Sequence, residues 1–161
     1  NFGSFETRLY HDTIQARVNT NDDGRDNISN GFRTIAGYIF GSNNSGEKIA
    51  MTTPVHMWSE QGMMKMAFTM PSEHDLSDLP VPNNSSIEFV EVTGRLTAVM
   101  KFSGFTGRRK VRKLSNNLLK LISQNKLEPI SSHILAIYDN PWTTLPFLRR
   151  NEILITIKDN S

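Results

Sequence analysis

The order of sequence patterns predicts an α+β fold built from two pseudo-symmetric βαββ repeats. Each half of the 161-residue chain contains one amphipathic helical pattern, which an extended segment precedes and two extended segments follow. A connector at 71–85, which holds three of the seven prolines, joins the halves. We expect the strands to form one curved sheet or an open barrel, with the two helices packed outside.

The first half contains a helical stripe and a methionine-rich hairpin. Apolar residues between Ile28 and Phe40 recur at helical spacing, and Gly41 is a typical helix-ending residue. In the last predicted strand of this half, 64–70, apolar residues alternate with polar ones. Glu60–Gly62 is the predicted turn before this strand. The predicted strands are 5–18, 49–58 and 64–70.

The second half repeats this order. Val111, Leu114, Leu118, Leu121 and Ile122 form one helical stripe within roughly 107–125. The predicted strands are 86–104, 132–139 and 152–158. We therefore expect a single domain over residues 1–161, with repeat halves at roughly 1–75 and 86–161.

Composition excludes several functional classes. The chain carries 18 basic and 16 acidic residues, so a net charge of +2 implies no general attraction to nucleic acid. The absence of cysteine excludes a disulfide framework, a cysteine nucleophile and an iron–sulfur cluster. No apolar run approaches the ~20 residues of a membrane-spanning helix. The start at Asn1 is compatible with a cytoplasmic chain or with export after removal of a leader.

The sequence contains no recognisable catalytic signature. The nucleophile elbow G-x-S-x-G, the P-loop and the dinucleotide fingerprint are all absent. Acidic pairs such as Asp22–Asp23 lie in a polar loop with no apolar setting to raise a carboxyl pKa. These observations favour a protein that is not an enzyme.

Six of the seven methionines lie within residues 51–70. Methionine is polarizable and adaptable, so the two predicted strands there would present a broad apolar wall. Three interpretations remain open: ordinary core, a copper site that uses methionines with His56, or a wall for a flat apolar ligand.

Two basic groups are candidate anion sites. Arg108, Arg109, Lys110, Arg112 and Lys113 open the second helix, where cations oppose the helix dipole. This run is either a solvated face or the contact surface for an anionic partner. The Arg149–Arg150 pair follows a Pro-rich turn, and arginines bind carboxylates with two parallel hydrogen bonds.

Four segments, in order, resemble the SOUL family of haem-binding proteins. FRTIAGYIFGSNNSGEKIAMTTPVHM at 32–57 resembles the family's first helix, loop and following strand, and MAFTMPSEHDLSDLPVP at 66–82 resembles its connector. FSGF at 102–105 is similar to its turn into the second helix, and PWTTLPFLRRNEILI at 141–155 is similar to its C-terminal signature. The resemblance covers nearly the whole chain.

The resemblance implies two βαββ repeats that form a distorted antiparallel β-barrel flanked by two helices. It also implies non-enzymatic binding of haem or a related tetrapyrrole in an apolar cleft. The residues that we expect to contact the ring lie in the first half: Tyr38, Ile39, Met51, Met57, Met66 and Phe68. Arg149 and Arg150 are the expected partners of the ring's propionates.

An axial ligand for haem iron is less well indicated. Where some family members read Tyr-Glu-x-Arg-His-Tyr, this chain has Leu9 in place of the histidine. His11 and His56 are the remaining candidates. The alternatives to tetrapyrrole binding are an interaction module for an anionic or protein partner, and an enzyme acting on a hydrophobic small molecule.

Overall fold

The structure is a computed structural model that describes residues 4–20, 25–50, 52–139 and 143–161, with only the backbone described at 25–30. Eight strands and two helices lie within these ranges. In chain order they are β1 (Glu6–Tyr10), β2 (Thr13–Thr20), α1 (Arg25–Ile39), β3 (Val55–Glu60), β4 (Met63–Thr69), β5 (Glu88–Val92), β6 (Arg95–Ser103), α2 (Arg108–Gln124), β7 (Ile134–Ile137) and β8 (Arg150–Thr156). A 3₁₀ turn, Pro146–Leu148, precedes β8.

The chain divides into two compact units. The central unit is Asp12–Thr93, and the terminal unit combines Asn1–His11 with Gly94–Ser161. In the central unit, antiparallel pairing gives the strand order β3-β4-β2-β5. In the terminal unit the order is β1-β6-β8-β7, again antiparallel.

The core of the central unit lies between α1 and its sheet. Helix α1 contacts β2 and β4. Ile35, Tyr38 and Ile39 are buried on one side of the helix, three and four residues apart as a helical stripe requires. Phe40, at the end of the same predicted stripe, is instead 64% exposed because the helix has ended at Ile39. Gly41 has φ 115°, the left-handed conformation that terminates the helix.

The core of the terminal unit lies between α2 and strands β6 and β8. Val111, Ser115, Leu118 and Ile122 form the buried face of α2. The Ser115 hydroxyl donates to the Val111 carbonyl oxygen at 2.7 Å, so this buried polar group is satisfied within the helix. Leu114 and Leu121, the other members of the predicted stripe, are half-buried at its edge.

The α+β class, both helices and the antiparallel strands are confirmed. The turn predicted at Glu60–Gly62 is also confirmed: Glu60 pairs with Met63, and Gln61 and Gly62 have φ 53° and 76°. Two predicted extended segments are each divided, since 5–18 covers β1 and most of β2, and 86–104 contains β5 and β6. The single domain and its halves at 1–75 and 86–161 stay a prediction.

Two glycines of α1 provide a matched test of the packing between α1 and β2. A Cβ at Gly31 would collide with Thr20 Cγ2, whereas a Cβ at Gly37 would lie 3.6 Å from the nearest atom, Ser42 Oγ. We expect Gly31→Ala to lower the free energy of unfolding by ~1–3 kcal/mol through overpacking. We expect Gly37→Ala to raise it by ~0.5–1 kcal/mol through helix propensity. Urea denaturation measures both, and equal effects of the two substitutions would contradict this packing.

Candidate functional site

A cleft of about 750 Å³ opens on the terminal unit. We call it the terminal cleft. Its walls come from β1, the end of β6, the residue after β7, the 3₁₀ turn and the start of β8. The lining residues are Arg8, Lys101, Phe102, Ser103, Tyr138, Phe147, Leu148, Arg149, Arg150, Asn151 and Glu152. The volume lies within the range of about 300–1,000 Å³ that is typical of small-molecule sites.

A half-buried ion pair forms one wall of the terminal cleft. Glu152 on β8 is 6% exposed, and both of its carboxylate oxygens accept hydrogen bonds from Arg8. The distances are 3.0 Å from Nη1 to Oε2 and 2.8 Å from Nη2 to Oε1. Arg8 also donates to Glu6 on the same strand. Two parallel charge-assisted hydrogen bonds hold the guanidinium in one orientation, so Arg8 links β1 to β8 across the intervening strand β6.

Tyr138 completes this network from the end of β7. Its hydroxyl donates to Glu152 Oε2 at 2.8 Å. Burial, and then the hydrogen bond and charge of Glu152, raise the pKa of Tyr138 well above its usual value. The hydroxyl group of Tyr138 is therefore engaged by Glu152 in this network.

Arg149 and Arg150, both predicted to meet carboxylates, line the terminal cleft. Arg150 Nη2 and Nε lie 3.0 and 3.1 Å from the two carboxylate oxygens of Asp139. These hydrogen bonds hold the pKa of Asp139 below its usual value. Arg149 Nε donates to the Thr144 carbonyl oxygen at 2.9 Å, and its guanidinium lies 5.5 Å from the centre of the Phe105 ring. Both arginines are thus held at the cleft by neighbouring groups.

The cleft also presents apolar surface, beside the buried side chain of Asn151. Phe147 is 71% exposed and Leu148 is 58% exposed. Asn151 is buried; its Nδ2 donates to the Gly104 carbonyl oxygen at 3.1 Å, while its Oδ1 has no hydrogen-bond partner among the described groups. Exposed apolar side chains beside cations suit a ligand with a flat apolar body and acidic groups.

The other predicted ring contacts lie in the core of the central unit. Tyr38, Ile39, Met57, Met66 and Phe68 are all at most 7% exposed. The Tyr38 hydroxyl donates to the Pro80 carbonyl oxygen at 2.8 Å, and burial raises the pKa of Tyr38 to about 12. Met51 lies outside the described residues. Ligand contact by these residues stays a prediction.

Neither of the two candidate iron ligands is among the lining residues of the terminal cleft. His11 follows the last residue of β1 and is exposed. His56 is buried on β3, and its Nδ1 lies 3.3 Å from Gln15 Nε2. The described residues contain no cluster of three or more histidine, aspartate or glutamate side chains that could hold a metal ion. Axial ligation by either histidine stays a prediction.

A second cleft, of about 590 Å³, lies in the central unit. Asp12, Asp75 and Glu91 contribute carboxylates to it, and His74 is its basic side chain. It therefore differs in charge from the terminal cleft, which four Lys and Arg side chains and one carboxylate line. A ligand with free carboxylates would be repelled by the central cleft and attracted by the terminal one.

Sequence reasoning found two residues of the terminal cleft and missed the others. Lys101, Phe102 and Tyr138 converge there from β6 and the end of β7, which lie far from Arg149 in the chain. One local signal was available. The apolar residues of LPFL at 145–148 directly precede the two arginines, and three of them are exposed.

Neither described helix has the length and apolar character needed to cross a membrane.

Comparisons with known proteins address the family and the fold. Human heme-binding protein 2 is 27% identical over an alignment of 168 positions, which covers 98% of this chain and 80% of that protein. Mouse heme-binding protein 2 is 28% identical over 141 residues, covering 82% and 67%. The crystal structure of the EcmrR C-terminal domain superposes with a TM-score of 0.73 at 11% identity, covering 96% and 97%, and shares the fold. A family profile described as SOUL heme-binding protein matches residues 1–156, and this chain therefore belongs to that family.

Proposed function

We propose that the chain binds haem or a related tetrapyrrole dicarboxylate in the terminal cleft, and does not transform it. Membership of a heme-binding family supports the ligand class. The observation that carries the choice of site is the pairing of exposed apolar side chains, Phe147 and Leu148, with the cations Arg149 and Lys101.

Most of the affinity would come from burial of the apolar ring. Phe147 and Leu148 keep most of their surface exposed to solvent, so a ring that covers them removes new apolar area from water. Such burial is favourable by roughly 25 cal/mol per Å². The binding energy is offset by the loss of ligand freedom, so we expect a dissociation constant on the order of micromolar.

The ring's carboxylates would meet the cations at the edge of the cleft. Arg150 already shares its charge with Asp139, and Arg8 shares its charge with Glu152. Lys101 lies 3.8 Å from Glu6 with 67% of its side chain exposed. Lys101, which makes the longest of these ion-pair contacts, is therefore the first partner for the propionates, with Arg149 and Arg150 as further donors.

The cleft fits the ring and its acidic groups better than it fits the iron. Bound haem would supply an iron centre able to take axial ligands, for which proteins mostly use histidine, cysteine, methionine or tyrosinate. The lining of the cleft contains none of the first three, and the hydroxyl group of its tyrosine already donates to Glu152. Binding that depends on ring and carboxylates is therefore the proposal, and ligation by His11 or His56 is the alternative.

Metal-free protoporphyrin IX tests this directly. We expect hemin and protoporphyrin IX to bind with dissociation constants within about threefold of each other, less than 1 kcal/mol apart. His11→Ala and His56→Ala should leave hemin affinity and the Soret maximum of the complex unchanged. Absorption titration of hemin and fluorescence titration of protoporphyrin measure these quantities. A loss of hemin affinity in one histidine variant, with protoporphyrin unaffected, would instead assign the axial ligand.

Two exposed phenylalanines give a matched test of the site. Phe147→Ser removes apolar surface from the terminal cleft, and we expect it to weaken protoporphyrin binding about tenfold. Phe40→Ser removes a side chain of similar exposure, 64%, from the central unit and should leave binding unchanged. Both substitutions are at the surface, so thermal unfolding should change little. If both variants weaken protoporphyrin binding equally, or if neither weakens it, the terminal cleft is excluded as the ring's contact surface.

A further inference from the structure

The exposed side of α2 carries basic side chains and no acidic ones. The helix contains six of the chain's 18 Lys and Arg residues and none of its 16 Asp and Glu residues. Arg109, Lys113 and Lys120 lie opposite the buried face, at spacings that align them along the helix. In the part of the chain that the structure describes, no carboxylate pairs with these three cations.

Exposed apolar side chains lie beside this basic helix. Phe105, three residues before α2, is 65% exposed. Arg149 connects Phe105 to the loop that contains Thr144. Its guanidinium lies over the Phe105 ring, and its Nε donates to the Thr144 carbonyl oxygen. Leu145, next to Thr144, is 57% exposed. We call Phe105, Leu145, Arg109, Lys113 and Lys120 the basic–apolar patch.

We infer that the basic–apolar patch binds the surface of an anionic phospholipid membrane. Lysine and arginine near such a surface are attracted by its negative potential, while exposed Phe and Leu side chains insert among the headgroups. The positive charge of the basic–apolar patch alone would attract any polyanion. The aliphatic side chain of Leu145 and the phenyl ring of Phe105 favour a partner with an apolar layer beneath its charges.

The helix is arranged for contact with a surface rather than for insertion. Val111, Leu118 and Ile122, its apolar face, are packed within the terminal unit and are not available to lipid. Only Phe105 and Leu145 would enter the interface, and the cations of α2 would stay at headgroup level. Binding of this kind is reversible and weakens as salt screens the charges.

Sedimentation with vesicles tests the inference on the full chain without tetrapyrrole, so the result does not depend on the proposed function. We expect binding to phosphatidylcholine vesicles that contain phosphatidylserine, and little binding to phosphatidylcholine alone. Each cation near such a surface is worth about fivefold in affinity, so Arg109→Gln with Lys113→Gln should weaken binding about 25-fold. Phe105→Ser should weaken it about tenfold.

Matched variants in the central unit control for total charge and total apolar surface. Arg33→Gln with Lys48→Gln removes the same two charges from exposed positions, and Phe40→Ser removes an equally exposed ring. Neither should change vesicle binding. Absence of binding to phosphatidylserine vesicles, or equal loss in the control variants, would overturn the inference. Binding to soluble polyglutamate or to single-stranded RNA as tight as to vesicles, and independent of Phe105, would also overturn it.

Discussion

The guanidinium of Arg8 is held by a carboxylate from the opposite end of the chain, and the terminal cleft depends on that pair. Glu152 is nearly inaccessible to water, so the loss of Arg8 would leave a buried charge without its partner. The same carboxylate accepts the Tyr138 hydroxyl, which keeps that ring in the cleft wall. One buried anion therefore orients side chains from β1 and from the end of β7, and the outer cations and apolar residues are arranged around it.

The charge of the lining residues distinguishes the two clefts, which are otherwise similar in volume. The clefts of the central and terminal units differ modestly in volume, but the charged side chains of the central cleft are mostly acidic and those of the terminal cleft are mostly basic. The basic excess of the terminal unit continues on α2, where no acidic residue is present. The small net charge of +2 hides this separation, because the remaining acidic residues offset it elsewhere. Local fields, rather than net charge, determine which acidic ligand each surface attracts.

Patterns that are local in sequence predicted the elements of the fold, and contacts between distant segments were not accessible in this way. The stripes of α1 and α2 and the turn at Gln61–Gly62 each follow from a few neighbouring residues. The pairing of β1 with β6, and of Arg8 with Glu152 across 144 residues, leaves no periodic signal. The function of the methionine-rich strands was also not accessible from the pattern. Apolar residues alternate in the same way in a core strand and in a strand that forms a ligand surface. Met57 and Met66 are in fact buried core residues.

The central claim is that a tetrapyrrole contacts the terminal cleft, and mapping of backbone amide shifts tests it most directly. Metal-free protoporphyrin IX would be added to the isotopically labelled chain, since its ring current shifts the amides nearest to it. We predict the largest shifts at 101–103 and 147–152, the segments that line the terminal cleft. Large shifts confined to α1, β3 and β4, around Tyr38, Met57 and Phe68, would contradict the account and assign the ring to the central unit.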